Sequence, residues 1–143
     1  MPKRKKSGLA RPASSLTFNH AMVYVRELER ALRFYQGLLG FKLIEKLRGY
    51  ARLRSPAGRT TLALHEPEPG QVLPETDGIR LYFEVRDVER LCEKLAAAGV
   101  EIQQMPQRMP WGWTHAYLKD PDGHEVSLYW AGEKRFQKTK TWG

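Results

Sequence analysis

Two stretches of the chain repeat one another at a spacing of 60 residues: Val25-Arg26-Glu27-Leu28-Glu29-Arg30 and Val85-Arg86-Asp87-Val88-Glu89-Arg90. Each copy follows an apolar, strand-like run, at 21–25 and 79–85. Each leads into a helical pattern. Leu28, Leu32, Tyr35 and Leu39 share one helical face in the first copy; Val88, Leu91, Leu95 and Ala98 do so in the second. Gly40 and Gly99 stand where these helices should stop. Asp87 is placed to cap the second helix.

Short strand-like runs complete each copy, at 41–47, 50–54 and 60–65, then at 100–105, 113–119 and 125–130. Turn signals separate them: Arg48-Gly49, Ser55-Pro56-Ala57-Gly58 and Asp120-Pro121-Asp122-Gly123. The predicted architecture is α+β, with two tandem βαβββ modules at 17–66 and 79–131 joined by a linker at 67–78. Neither module buries both faces of its sheet alone, so the two should pack together into one domain with a cupped mixed sheet.

The net charge of +8 invites a nucleic-acid reading, but it is unevenly placed. Lys3, Arg4, Lys5, Lys6 and Arg11 give the N-terminal tail (1–16) +5. Lys134, Arg135, Lys138 and Lys140 against Glu133 give the C-terminal tail (132–143) +3. The span between them therefore nets to zero and has no basic stripe. The tails are expected to be solvated, with at most weak, salt-sensitive polyanion contact. One cysteine, Cys92, excludes an internal disulfide framework; it falls on the second helix, as a core or interface thiol. With no apolar run of membrane-spanning length and no secretory signal, a cytoplasmic protein without a membrane partner is expected.

The string Phe18-Asn19-His20, Val23-Tyr24-Val25, Leu28-Glu29-Arg30-Ala31, Phe34-Tyr35, Leu38-Leu39-Gly40-Phe41 resembles the opening of a vicinal-oxygen-chelate protein. That superfamily includes the glyoxalases, bleomycin-resistance proteins and extradiol dioxygenases. Asp120-Pro121-Asp122-Gly123-His124-Glu125-Val126-Ser127-Leu128-Tyr129-Trp130 resembles its closing hairpin. The resemblance spans about 17–131 and implies the fold more specifically than the function, because this fold hosts lyases, epimerases, dioxygenases, thiol transferases and binders.

Metal-using members hold one divalent ion with ligands from the first and last strands of each module. Here His20 matches the first position, but Arg80 stands at the second histidine's place and Ser127 at the closing glutamate's. The remaining position falls on Ala63, or on Leu62 with a shift of one. A guanidinium stays protonated and does not ligate. His65 and Glu125 are the candidate displaced ligands, yet residues two apart along a strand sit roughly 6–7 Å apart, and a metal–ligand bond is near 2 Å. No cofactor is therefore expected; the alternative is a single divalent iron, manganese, zinc or nickel ion.

Period-two alternation turns His20, Met22, Tyr24, Ala63, His65, Arg80, Tyr82, Glu84 and Ser127 toward the cup, which should be a cavity. Trp111-Gly112-Trp113 resembles the groove-bordering segment of the bleomycin-resistance branch. The expected ligand-binding set is His20, Tyr24, His65, Arg80, Tyr82, Trp111, Trp113 and Ser127. Arg80 has two readings: a salt bridge with Glu84 or Glu125, or an anchor for a ligand carboxylate or phosphate. Were the protein an enzyme, Glu84, Glu125 and His115 would carry protons. His124, in a turn, should be exposed.

The expected function is a glyoxalase/bleomycin-resistance-type protein that binds or sequesters a small organic ligand, anionic ones included. One alternative is a metal-dependent lyase or ring-cleaving dioxygenase with a rearranged site. The other is an interaction module whose basic tails dock a polyanion. The resemblance to bleomycin-resistance proteins also implies a homodimer with a groove at the subunit interface.

Overall fold

A computed structural model describes residues 15–76 and 78–138. Most of the basic N-terminal tail and Lys140 lie outside the described residues.

The chain folds as the repeat requires. Module one runs β1 (His20–Tyr24), α1 (Leu28–Leu32), a π-helical turn (Arg33–Leu38), β2 (Lys42–Leu47), β3 (Tyr50–Arg54) and β4 (Thr61–His65). Module two runs β5 (Arg80–Glu84), α2 (Val88–Ala97), β6 (Ile102–Arg108), β7 (Thr114–Lys119) and β8 (Glu125–Trp130). Each module forms its own four-stranded mixed sheet, in the orders β1-β4-β3-β2 and β5-β8-β7-β6. The first and last strands pair in parallel in both. A 3-10 turn, Gly132–Phe136, follows Ala131.

Alternation decides which face is buried. Val23, Ala51, Leu53, Leu62 and Leu64 from sheet one and Ala116, Leu118, Val126 and Leu128 from sheet two join Leu28, Leu32, Val88, Cys92 and Leu95 of the helices in one core. Cys92 is thus a core thiol, and burial raises its pKa. Across the module boundary, the rings of Tyr35 and Phe41 meet Phe83.

Polar residues also tie the modules together. Tyr35 Oη donates to Asp120 Oδ2 at 2.6 Å. Asp122 Oδ1 accepts from the Arg26 amide at 2.7 Å and from Arg30 at 2.9 Å. His124, expected in solvent, is instead buried with Nδ1 at 2.7 Å from Asp120 Oδ2. The Asp-Pro-Asp-Gly turn is folded inward against α1, and the carboxylates need buried donors.

The helices differ from one another. Asp87 Oδ1 caps α2 by accepting from the Arg90 amide, as its position implies. The matching Glu27 makes no side-chain cap. Glu66, just beyond β4, accepts from the Leu28 amide at 2.7 Å instead. The first helix also departs from regular spacing: the Leu39 amide donates to the Phe34 carbonyl, five residues back. Gly40 (φ 80°) and Gly99 (φ 93°) end the two helical segments in the left-handed region where glycine is favoured. Among the described residues, no helix is long and apolar enough to cross a membrane.

Candidate functional site

The non-core face of sheet two carries a cluster of rings around His115. Gly112 (φ 98°) makes the turn between Trp111 and Trp113, closed by the Met109 amide on the Trp113 carbonyl. Both indoles then reach His115, Trp113 nearly parallel to it at 5.9 Å between centroids. Tyr82, Tyr117 and Tyr129 complete the ring set. Tyr117 and Tyr129 were not among the expected site residues. One further step of the alternation that points His115 and Ser127 to this face would have found them.

His115 is 2% exposed. Its Nδ1 lies 3.0 Å from Ser127 Oγ, which is itself fully buried. Its Nε2 is buried with no hydrogen-bond partner among the described residues. Burial, and then the Arg80 charge, lower its pKa, so the imidazole is neutral at pH 7 and one ring nitrogen accepts while the other donates. A Ser–His contact suggests a nucleophile, but among the described residues no carboxylate orients this imidazole, and the hydroxyl is enclosed.

Arg80 lies at the rim, 39% exposed along its side chain, and binds Glu125 at 2.6 Å. Its guanidinium also stacks over Tyr117. Hydrogen bonds with Tyr82 and then Glu125 raise its pKa and keep it charged. Of its two proposed carboxylate partners, then, Glu125 is the one engaged. Glu84 is used elsewhere: it accepts from the Ala131 and Gly132 amides and pairs with Arg135 at 2.9 Å, fastening the 3-10 turn. Glu84 and Glu125 are therefore both committed to structural partners. Of the three proton-transfer candidates, His115 alone sits among the rings.

Sheet one offers a sparser face. His20 Nδ1 lies 2.6 Å from Thr61 Oγ1. His65 sits between the edges of Tyr24 and Tyr50, with its Nδ1 buried and unpartnered among the described residues. The expected residues thus fall into two groups: Arg80, Tyr82, Trp111, Trp113, Ser127 and His115 on sheet two, and His20, Tyr24 and His65 on sheet one. In the single chain both faces are open sheets. Two open hollows lie elsewhere, beside α1 and the π-helical turn.

Strand register fixes the four metal positions of the fold. Met22 pairs with Ala63 and Tyr82 with Ser127, which makes Ala63 and Ser127 equivalent. The positions therefore present an imidazole (His20), a methyl (Ala63), an ion-paired guanidinium (Arg80) and a hydroxyl held by His115 (Ser127). This donor set does not fit a divalent ion, which needs about three protein ligands. The described residues also contain no group of three His, Cys, Asp or Glu placed to hold one ion.

The model of the Glyoxalase/Bleomycin resistance protein/Dioxygenase superfamily matches residues 17–128. The chain belongs to this superfamily. Among curated relatives, a lactoylglutathione lyase of Neisseria meningitidis is 30% identical over 76% of this chain and 86% of its own. The glutathione transferase FosA of Serratia marcescens is 32% identical over 79% of each. A catechol-2,3-dioxygenase of Bacillus subtilis is 28% identical, and there the chain spans 40% of the relative's length. Among solved structures, a superfamily domain from Frankia sp. EAN1pec superposes with a TM-score of 0.68 at 26% identity, over 82% of this chain and 98% of that one. A lactoylglutathione lyase from Agrobacterium tumefaciens gives 0.69 at 20% identity over 90% and 100%, and this likeness bears on the fold alone.

Proposed function

We propose that this superfamily member is a metal-independent binder of a small, flat organic molecule. The ligand lies on the sheet-two face against Trp111, Trp113, Tyr82 and Tyr117. The observation that carries the reading is His115: a neutral imidazole at the centre of a ring cluster, with a buried nitrogen that lacks a partner among the described residues. Ring walls with a few placed polar groups are the composition of a small-molecule site. Arg80 at the rim holds a cation near the same face; a ligand anion would compete with Glu125 for it. Binding or sequestration in the cytoplasm, by a homodimer whose two copies complete the cup, is the proposed role.

The lyase, transferase and dioxygenase names of the relatives describe the competing reading, an enzyme with a relocated ion. Two measurements separate them. Protein purified without an affinity tag should contain less than about a tenth of an equivalent of iron, manganese, zinc or nickel, and added metals should not raise its melting temperature. Trp113→Ala should then weaken whichever aromatic ligand a fluorescence screen finds by about tenfold, since ring stacking beyond area burial contributes about 0.5–1.5 kcal/mol. Near-stoichiometric metal would overturn the proposal and make His65 and Glu125 the next residues to change.

A further inference from the structure

Away from the cup, a groove of about 640 Å³ runs between the modules. One wall is the first helix and its π-helical turn, with Arg33, Phe34 and Leu38. The other is the turn after α2 and the end of β7, with Val100, Glu101 and Lys119. It shares no residue with the His115 face, and its size lies within the range of small-molecule sites.

Charge and apolar surface are segregated along it. Phe34, Leu38 and Val100 supply an apolar floor, and Leu38 is 39% exposed. The Arg30 and Asp120 charges are already engaged, by Asp122 and by Tyr35 and His124. Arg33 and Lys119, one from each module, have no ion-pair partner among the described residues, and both are exposed. Glu101 is the single carboxylate on the walls that is not otherwise engaged, so the free groups total one positive charge.

The helix geometry points to the same place. Leu28, Ala31, Leu32, Phe34 and Tyr35 are the buried positions, and they would share one face of a regular α-helix. Core packing therefore does not require the wider turn at Arg33–Leu38. π-helical turns occur frequently at functional sites. Here the turn puts Arg33, Gly37 and Leu38 on the groove wall, and a Cβ at Gly37 would meet no atom within 4 Å.

We propose that this groove is a second ligand site, for a soluble monocarboxylic acid with an apolar body. The carboxylate sits between Arg33 and Lys119, and the apolar body lies along Phe34, Leu38 and Val100. Glu101 disfavours ligands with a second negative charge. Because the ligand touches both modules beside the Tyr35–Asp120 bond, its binding also holds the modules together.

Decanoate, decylamine and decanol, each below its aggregation threshold, form the test by calorimetry and thermal melting. Decanoate should bind, raise the melting temperature, and do both better than the amine or the alcohol. Arg33→Glu with Lys119→Glu should weaken decanoate about tenfold or more, through loss of two charge-assisted contacts. Gly37→Phe, whose new side chain enters open space, should block decanoate while leaving the circular dichroism spectrum and the unliganded melting temperature unchanged. Equal binding of the amine, or decanoate affinity untouched in the charge-reversed protein, would overturn the site. So would decanoate binding lost in Trp113→Ala but kept in Gly37→Phe, which would move the acid to the His115 face. Binding of anionic phosphatidylglycerol vesicles in preference to decanoate would identify a lipid surface as the partner and refute a soluble acid.

Discussion

The Asp120 carboxylate accepts four hydrogen bonds. Tyr35 Oη and the His124 ring donate to Oδ2, and the Asp122 and His124 amides donate to Oδ1. An ionised carboxylate only accepts, so His124 carries its proton on Nδ1. Burial pushes the Asp120 pKa up, but the hydrogen bonds from His124 and Tyr35 outweigh it and hold the group below its ordinary 3.8. A depressed carboxylate pKa stabilises the fold above the unfolded value, and that contribution is lost as pH falls through the folded one. Tyr35→Phe keeps the ring against Phe34, Phe41 and Phe83 and removes only the hydroxyl. It should cost about 1.5–3 kcal/mol in urea unfolding at pH 7, the range for hydrogen bonds to charged groups. The gap from the unaltered protein should hold above 3.8 and narrow as pH is lowered below it. A gap below about 0.5 kcal/mol at pH 7 would mean the bond contributes nothing to joining the modules, and a gap independent of pH would mean its contribution does not depend on the Asp120 charge.

At the scale of elements, the two helices solve one problem in two ways. The repeat aligns Glu27 with Asp87. Asp87 is short enough to turn back onto its own helix; Glu27 makes no such cap, and the Leu28 amide donates to Glu66 from beyond β4. Asp87→Ala therefore removes a local cap and should cost about 1 kcal/mol. Glu66→Ala also detaches α1 from β4, and should cost as much or more, up to about 2 kcal/mol. Chemical unfolding of the two variants compares them directly; no loss on Glu66→Ala would show that solvent caps α1 equally well. The strands were legible because period-two alternation and glycine turns are local signals: 50–54 and 125–130 match the observed elements end to end. The π-helical turn was not, since its buried residues suit an ordinary helix. Nor was the inward fold of Asp120 and Asp122, because their partners Arg26, Arg30 and Tyr35 lie more than 80 residues away, and His124 is drawn in with them through Asp120. At the candidate site, the placing of Arg80 was legible from the repeat and that of Ser127 from the resemblance of the closing hairpin. The use of Glu84 to fasten the 3-10 turn was not, since the amides it binds lie nearly fifty residues on.

At the scale of the whole molecule, one chain leaves apolar side chains on its two cup faces exposed. β1 and β5 are sheet edges, each paired on one side only. Beside them Phe18 is 85% exposed and Ile79 55%, and Met22 and Tyr82 project from the cup faces into solvent. Exposed apolar groups gathered near open edges mark an interaction surface. The proposed partner is a second copy, whose sheet one would close over sheet two of the first and set His20, Tyr24 and His65 opposite the His115 cluster. Sedimentation at micromolar concentration should then give a species of twice 16.5 kDa. Phe18→Asp with Ile79→Asp alters only exposed positions of the single chain, so the variant should remain folded by circular dichroism yet sediment at 16.5 kDa. It should also lose affinity for an aromatic ligand while keeping decanoate in the groove, which one chain forms by itself. An unaltered protein that sediments as a monomer would refute the dimer. Full aromatic affinity in that monomer would mean the His115 face binds without a facing sheet.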